Sequence, residues 1–110
     1  MKLETQTIDD VVILRPVGRL DSTSSPELEK VLTDSLAAGT KRLVFDFSDL
    51  DYISSAGLRV VLLAGKRLRP PHGKMVLVGM REIVKEVFAM SGFLTLFAVA
   101  DTVEAGIGKV

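Results

Sequence analysis

A short apolar segment that leads through a polar turn into a long apolar helix restricts the fold of this chain more than any other feature. Leu43, Val44 and Phe45 are consecutive apolar residues, a pattern typical of a central strand covered on both faces. The predicted core stripe of the helix consists of Leu58, Val61, Leu62, Gly65 and Leu68. A buried strand followed by such a helix predicts a βα unit within a sheet that contains parallel strands.

The remaining segments continue this alternation. Strands are predicted at residues 3–8, 11–17, 41–47, 74–78 and 96–99, and the first two form a hairpin. Helices are predicted from Ser24 or Ser25 to Gly39, across the central apolar segment, at residues 81–90 and after Asp101. The order ββαβαβαβα predicts a single α/β domain over residues 1–110, with a mostly parallel or mixed sheet of about five strands and about four helices.

Signals at the ends of these elements add detail. Ser24 with Glu27, and Asp101 with Glu104, have the spacing of a capping box, so each pair is expected to open a helix. Gly39 and Gly92 are expected to stop helices. Pro16 cannot donate to a ladder and is therefore expected near a strand end or on an edge. In the third helix, the apolar residues predicted to face the core are Ile83, Val84, Val87 and Phe88.

Composition excludes several classes of function. The 14 basic and 14 acidic side chains balance, so no overall charge draws the domain to nucleic acid or an acidic membrane. There is no cysteine, which excludes disulfides and thiolate metal sites. The first ten residues carry acids where a signal peptide has an apolar run, and the apolar run VVLLAG is too short to cross a bilayer. These features predict a soluble, cytoplasmic protein without direct membrane insertion.

Ser54 and Ser55 lie at the predicted start of the central helix and form the most conspicuous candidate site. A helix N-terminus presents free N–H groups and a positive dipole end, so a phosphate can reside there. The simpler interpretation is that one serine caps the helix. The two interpretations are compatible, because a capping hydroxyl can also be phosphorylated.

Enzymatic interpretations of the same turn find little support. A nucleophile elbow, Gly-x-Ser-x-Gly, needs glycine at position 53, where Ile53 stands, and no acid lies between Ser55 and His72, the single histidine. A lone histidine also makes no metal site. Neither Gly-x-Gly-x-x-Gly nor a Walker A sequence is present. We therefore expect neither an enzyme nor a bound cofactor.

Charged residues flank the serines on both sides. Asp49 and Asp51 are expected to cap turns, whereas Asp46 interrupts an apolar strand and needs partners or an outward direction. Lys66, Arg67 and Arg69 come at the end of the central helix, where cations complement the dipole.

The central helix is more apolar than a single core stripe requires. Val60, Leu63 and Ala64 fall outside the predicted stripe. A helix with such an excess is either deeply buried or presents a surface to a partner. The hypothesis is that Val60, Leu63 or Ala64 contributes to a partner surface, with Arg59 at its rim.

Three segments resemble the STAS domain, and in particular its small single-domain members, the anti-sigma factor antagonists. The central run VFDFSDLDYISSAGLRVVL resembles the family's central motif. GRLDSTSSPELEKVL is similar to its loop and first helix, and FLTLFAVADTVEAG to its last strand and helix. The resemblance covers nearly the whole chain and implies the STAS fold.

The resemblance also implies a role. In that family the unphosphorylated antagonist binds an anti-sigma factor that is a serine kinase with a histidine-kinase-like ATP fold, and thereby frees a client. Phosphorylation of a serine breaks the complex, and a PP2C-type phosphatase restores the antagonist. No cofactor is implied, since ATP belongs to the partner. An alternative role for STAS domains is as a subunit of a membrane transporter, without a phosphorylation cycle.

Aligned on Gly57 and Leu58, the family's phosphorylated serine falls on Ser55, with Ser54 as competitor because it replaces the family's usual aspartate. Residue by residue, the resemblance and the helix pattern together imply a partner-binding set of Asp21, Ser22, Ser54, Ser55, Ala56, Gly57, Leu58, Arg59 and Leu63.

Overall fold

The computed structural model describes residues 1–110 and contains six strands, four α-helices and one 3-10 turn. The strands are β1 (Lys2–Ile8), β2 (Val11–Leu20), β3 (Arg42–Asp46), β4 (Leu50–Ile53), β5 (Lys74–Val78) and β6 (Ala98–Ala100). The helices are α1 (Ser25–Ala37), α2 (Ser55–Arg67), α3 (Glu82–Met90) and α4 (Val103–Ile107), and the 3-10 turn covers Leu94–Leu96. The α/β class and the four helices are confirmed.

The strands form one mixed sheet. Its order is β1-β2-β3-β5-β6, and β4 pairs separately with β2. Only the β1–β2 hairpin is antiparallel; all other pairs are parallel. The prediction of a mostly parallel, mixed sheet is therefore confirmed, with one strand more than expected.

The additional strand, β4, corrects the predicted order to ββαββαβαβα. It has four residues and carries Asp51 in its second position, so its pattern is that of a turn rather than of an apolar strand. The pairing with β2 holds it extended: Leu20 lies opposite Ile53, and both side chains are buried.

Strand β2 changes partner along its length. Residues 11–14 pair with β3, and residues 18–20 pair with β4, with a bulge between Gly18 and Arg19. Gly18 has φ +100° and its N–H donates to the Asp49 carbonyl at 2.9 Å. Pro16 lies between the two pairings, so neither β3 nor β4 requires its missing N–H. The strand is longer than predicted, and Pro16 is buried in its interior rather than at its end.

Two predicted capping boxes are wrong. Ser24 precedes α1, but its hydroxyl bonds back to the end of β2, donating to the Arg19 carbonyl at 2.8 Å. Before α4 the cap is Thr102 rather than Asp101, since the Thr102 hydroxyl accepts from the Ala105 N–H at 3.1 Å.

The last strand begins at Ala98 rather than at Leu96, because Leu96 ends the 3-10 turn. Gly39 and Gly92 follow α1 and α3 with positive φ, as predicted.

The sheet buries two separate sets of apolar side chains. The larger cluster has 17 buried residues and fills the space between the sheet and helices α1, α2 and α3. Five valine and isoleucine residues on the other face pack against α4.

Val60 and Ala64 are fully buried in the larger cluster, so the hypothesis that they contact a partner is wrong for both. Ile83, predicted to face the core, is 54% exposed.

Candidate functional site

The carboxyl ends of β2 and β4 lie side by side and carry the residues singled out from the sequence. Leu20 is opposite Ile53, and the Ser54 N–H donates to the Leu20 carbonyl at 2.9 Å. The loop after Leu20 and the start of α2 therefore leave the sheet together. This edge of a parallel sheet is where ligands and partners of α/β proteins are commonly bound.

Ser54 is the cap of α2. Its backbone is extended, with φ −92° and ψ 175°, and its hydroxyl accepts from the Gly57 N–H at 3.3 Å. The Ser54 carbonyl accepts the first intrahelical bond, from the Leu58 N–H at 2.9 Å. The side chain is half-buried. The prediction that one serine caps the helix is thus confirmed, and Ser54 is that residue.

Ser55 differs from its neighbour in every respect that matters for modification. It is the first residue of α2, it is exposed, and its hydroxyl forms no hydrogen bond within the chain. It precedes the first intrahelical N–H bond, so unpaired backbone donors and the positive dipole end surround it. The hydroxyl is therefore accessible, uncommitted and placed where added negative charge is favoured.

The loop between β2 and α1 is built around the Asp21 carboxylate. Its Oδ1 accepts from the Thr23 hydroxyl at 2.7 Å and from the N–H groups of Thr23 and Ser24 at 3.0 and 3.1 Å. These bonds, led by that of the Thr23 hydroxyl, lower the pKa of Asp21 to about 2. Asp21 is half-exposed, and Ser22 is exposed at the loop tip. The loop is held by its own hydrogen bonds next to the start of α2.

Gly57 and Leu58 point into the core instead of outward. A Cβ on Gly57 would lie 2.8 Å from Leu20 Cγ and 2.9 Å from Ile53 Cγ1, and Leu58 is only 7% exposed. Both residues are buried in the free domain, and their contact with a partner remains a prediction. The absence of a side chain at Gly57 and the burial of the Leu58 side chain seat the first turn of α2 on the ends of β2 and β4.

The exposed part of α2 continues from Ser55 along one face. Arg59 and Leu63 follow at intervals of four residues, and Arg59 is exposed while Leu63 and Ala56 are half-buried. The Arg59 guanidinium binds Glu29 Oε1 of α1 at 2.6 Å. The sequence did not predict that Glu29 pairs with Arg59, because no local pattern links residues thirty positions apart.

An ionic network lies on the other side of β4. Asp46 is 8% exposed, and its Oδ1 accepts from the Ser48 N–H at 3.0 Å while Arg15 Nε lies 3.6 Å from Oδ2. Arg15 also pairs with Asp49, and Arg81 pairs with both Asp49 and Asp51. Asp46 thus has the partners its position requires. Asp49 and Asp51 form ion pairs with these arginines, which corrects the prediction that they cap turns.

One more cation lies at this edge. Arg19, opposite Tyr52 in the β2–β4 pairing, places its guanidinium 4.2 Å from the centre of the Tyr52 ring.

His72, the single histidine, lies in an exposed loop outside this group of residues. None of the four helices is long and apolar enough to span a membrane.

Comparisons with known proteins agree with this arrangement. The STAS domain family model matches residues 2–106. BtrV of Bordetella bronchiseptica, named as a candidate anti-sigma factor antagonist, is 46% identical over 105 residues, covering 96% of this chain and 90% of the relative.

Solved structures show the same fold. The crystal structure of a candidate anti-sigma factor antagonist from Thermotoga maritima has a TM-score of 0.92 at 26% identity, over 98% of this chain and 93% of that one. The anti-sigma factor antagonist SpoIIAA in its unphosphorylated form has a TM-score of 0.81 at 22% identity, over 94% and 92% of the two chains. By the family model, which spans nearly its whole length, this chain belongs to the STAS domain family.

Proposed function

We propose that this protein is an anti-sigma factor antagonist controlled by phosphorylation of Ser55. The unphosphorylated form binds an anti-sigma factor, which then releases its client, and the phosphorylated form does not bind. The observation that supports the proposal is that the two serine hydroxyls differ in hydrogen bonding and exposure. Ser54 is committed to capping α2, whereas the Ser55 hydroxyl is exposed and unbonded.

The binding surface in this proposal comprises the Asp21 loop and the exposed face of α2. Ser22, Ser55 and Arg59 offer exposed polar groups, and Leu63 offers a half-buried apolar one. Ala56 and Ser54 line the same turn. This mixture of a small apolar centre and a polar rim suits a regulated rather than a permanent complex.

Phosphorylation of Ser55 adds about −1.5 to −2 charges at this surface. In the free domain the phosphate meets unpaired N–H groups of the first helical turn and, one turn further along, Arg59. Arg59 is held by an exposed ion pair with Glu29, and such pairs contribute only about 0 to 1 kcal/mol, so the guanidinium can turn to the phosphate at little cost. The isolated domain should therefore tolerate the modification.

A partner that covers the same spot must remove water from the phosphate. An uncompensated buried charge is costly, and a switch from 99% bound to 99% free needs about 5.5 kcal/mol of differential binding. The nearby carboxylates of Asp46, Asp49 and Asp51 cannot compensate the phosphate, and the two arginines among them, Arg15 and Arg81, are already paired with these acids. The switch thus acts on the interface and leaves the fold unchanged.

The protein itself acts by binding in this proposal, and the chemistry belongs to its partners. The anti-sigma factor is a serine kinase with a histidine-kinase-like ATP-binding fold and supplies the phosphoryl group from ATP. A PP2C-type phosphatase returns Ser55 to its free hydroxyl.

The test is phosphorylation of purified protein by candidate kinases from its host, followed by intact mass measurement and phosphosite mapping. Ser55→Ala should abolish the added phosphate. Ser54→Asn keeps a good helix cap but has no hydroxyl, so it should still be modified. Ser22→Ala serves as a control for another exposed serine nearby.

The proposal fails if Ser55→Ala is labelled as fully as wild type, or if Ser54→Asn loses the label while remaining folded. The affinity of the same kinase for unphosphorylated and for phosphorylated protein, measured by calorimetry, should differ by about 10,000-fold, the ratio that corresponds to about 5.5 kcal/mol. Equal affinities would leave Ser55 without a regulatory role.

A further inference from the structure

A cavity of about 610 Å³ lies at the end of α2 opposite to Ser55. Its walls come from the last turns of α2, the start of β5, the end of the 3-10 turn and the first residues of β6. Its size is in the usual range for small-ligand sites, about 300 to 1,000 Å³. The proposed switch at Ser55 does not use it.

The walls of this cavity are aliphatic and aromatic. The apolar side chains that line it are Leu62, Leu68, Met75, Leu96, Phe97 and Ala98. Leu96 is 64% exposed although it is large and apolar, and Leu62, Met75 and Phe97 are half-buried. Gly65 permits this arrangement, because a Cβ there would lie 2.6 Å from Phe97 Cε1. Apolar surface that a domain could have buried is thus left facing a cavity.

The polar side chains around the cavity are all cationic: Lys66, Arg69, Lys74 and Lys109. No acidic residue lines it. Lys66, Arg69 and Lys74 form no ion pair, although the acids of the chain equal its bases in number. The Lys109 ammonium is fixed at the edge of β6, donating to the Val99 carbonyl at 3.0 Å.

We infer that this cavity binds a single-chain amphiphile with an anionic head, of the class of a medium-chain fatty acid. The hydrocarbon chain lies against Leu62, Met75 and Leu96, and the carboxylate meets the ammonium groups of Lys66 and Lys74. Charge complementarity selects the head, because every polar side chain that lines the cavity is a cation. The apolar walls select an aliphatic tail.

The same lining disfavours a nucleotide. Recognition of a base edge needs acceptors as well as donors, and no side chain in the lining is a carboxylate, an amide or a hydroxyl. An extended nucleic acid is also a poor fit, since the cations surround a concave apolar site and do not form a flat stripe.

The experiment is a titration of the purified full chain with octanoate and decanoate, below their micelle concentrations, followed by calorimetry and amide chemical shifts. Each added methylene should tighten binding by about fourfold, given the hydrophobic contribution of a buried methylene. Shifts should appear in residues 62–75 and 94–98. Decanol, which has the same chain and no charge, should bind at least about tenfold more weakly than decanoate.

Two variants test the two halves of the site. Lys66→Glu with Lys74→Glu should weaken decanoate binding by about tenfold or more, because two attractive charges become repulsive. Leu96→Ser should weaken it by removing part of the wall. The matched controls, Lys85→Glu and Met90→Ser, change an exposed cation and an 87% exposed apolar residue of α3 away from the cavity, and should leave binding unchanged.

Several results would overturn the inference. Equal binding of decanol and decanoate would show that the cations do not recognise the head. Affinity that does not depend on chain length, or shifts confined to the Ser55 end of α2, would show that the ligand does not bind in the cavity. Retained affinity in the charge-reversal variant, with its fold checked by circular dichroism, would also exclude the proposed site. Tighter binding of GTP than of decanoate would show that the chosen ligand class is wrong.

Discussion

Replacing Gly57 by alanine tests how closely the first turn of α2 is seated on the sheet. In an exposed helix, Gly→Ala stabilises a protein by about 0.4 to 1 kcal/mol. Here the new methyl group would lie 2.8 Å and 3.0 Å from Leu20 Cγ and Cδ2 and 2.9 Å from Ile53 Cγ1. Both neighbours are buried, at 0% and 2% exposure, and Leu20 Cγ is a branch point that cannot move aside.

Overpacking of this kind costs about 1 to 3 kcal/mol, and taking the middle of that range, about 2 kcal/mol, the net destabilisation after the backbone gain should be about 1 to 1.5 kcal/mol. For a domain of this size that lowers the Tm by roughly 4 to 8 °C. Thermal unfolding followed by circular dichroism measures it. The helix start that carries Ser55 should also shift, and the rate of Ser55 phosphorylation should fall.

The matched control is Ala56→Gly on the same turn, which changes the conformational freedom of the backbone without adding atoms. It should lower the free energy of unfolding by about 0.5 to 1 kcal/mol. A double-mutant cycle with Leu20→Ala sharpens the test, because removing the Leu20 side chain opens space for the new methyl group. In that background Gly57→Ala should become neutral or stabilising. A rise in Tm for Gly57→Ala alone would refute the reasoning.

Three other predictions concern the switch and its loop. Phosphorylation of Ser55 should shift amide resonances only near Ser55, Arg59 and the Asp21 loop, with a similar Tm; shifts spread through α3 and β6 would indicate a conformational switch instead. Leu63→Glu should weaken binding to the kinase and leave the domain folded, and unfolding would place Leu63 in the core. The pKa of Asp21 is lowered from 3.8 to about 2, so its stabilising effect is complete above the unfolded value and is lost as pH falls from about 4 toward 2. Asp21→Asn should therefore flatten the pH dependence of stability in that window, and an unchanged profile would contradict the role of these hydrogen bonds.

How much of this could be predicted from sequence depends on how local the determining contacts are. The central strand and α2 were predictable because apolar runs and a helical period are properties of neighbouring residues. Ser55 was identified through resemblance; that Ser54 rather than Ser55 provides the cap became apparent only in the structure. Strand β4 was not predictable, because its extended shape depends on pairing with β2 rather than on its own four residues.

The errors along α2 have one physical cause. The apolar excess of α2 is compatible with deep burial or with a partner surface, and the pattern alone does not decide between them. In the structure α2 packs against both the sheet and α1, and Val60 and Ala64 are buried as a result. The ion pairs of Arg15 with Asp49 and of Arg59 with Glu29 join residues about thirty positions apart. Charge composition contains no information on such pairs.

The change of partner along β2 has a consequence for hydrogen exchange. The ladder that joins residues 18–20 to β4 is short and separated from the β2–β3 ladder by Pro16 and the bulge at Gly18. Cooperative units of local opening tend to follow such boundaries. The amides of β4 and the first turn of α2 should therefore exchange through a local opening of lower free energy than the amides of β3 and β5, which exchange only on global unfolding. The segment that carries Ser55 would then be able to detach from its neighbours, in a small fraction of molecules, while the rest of the sheet remains intact.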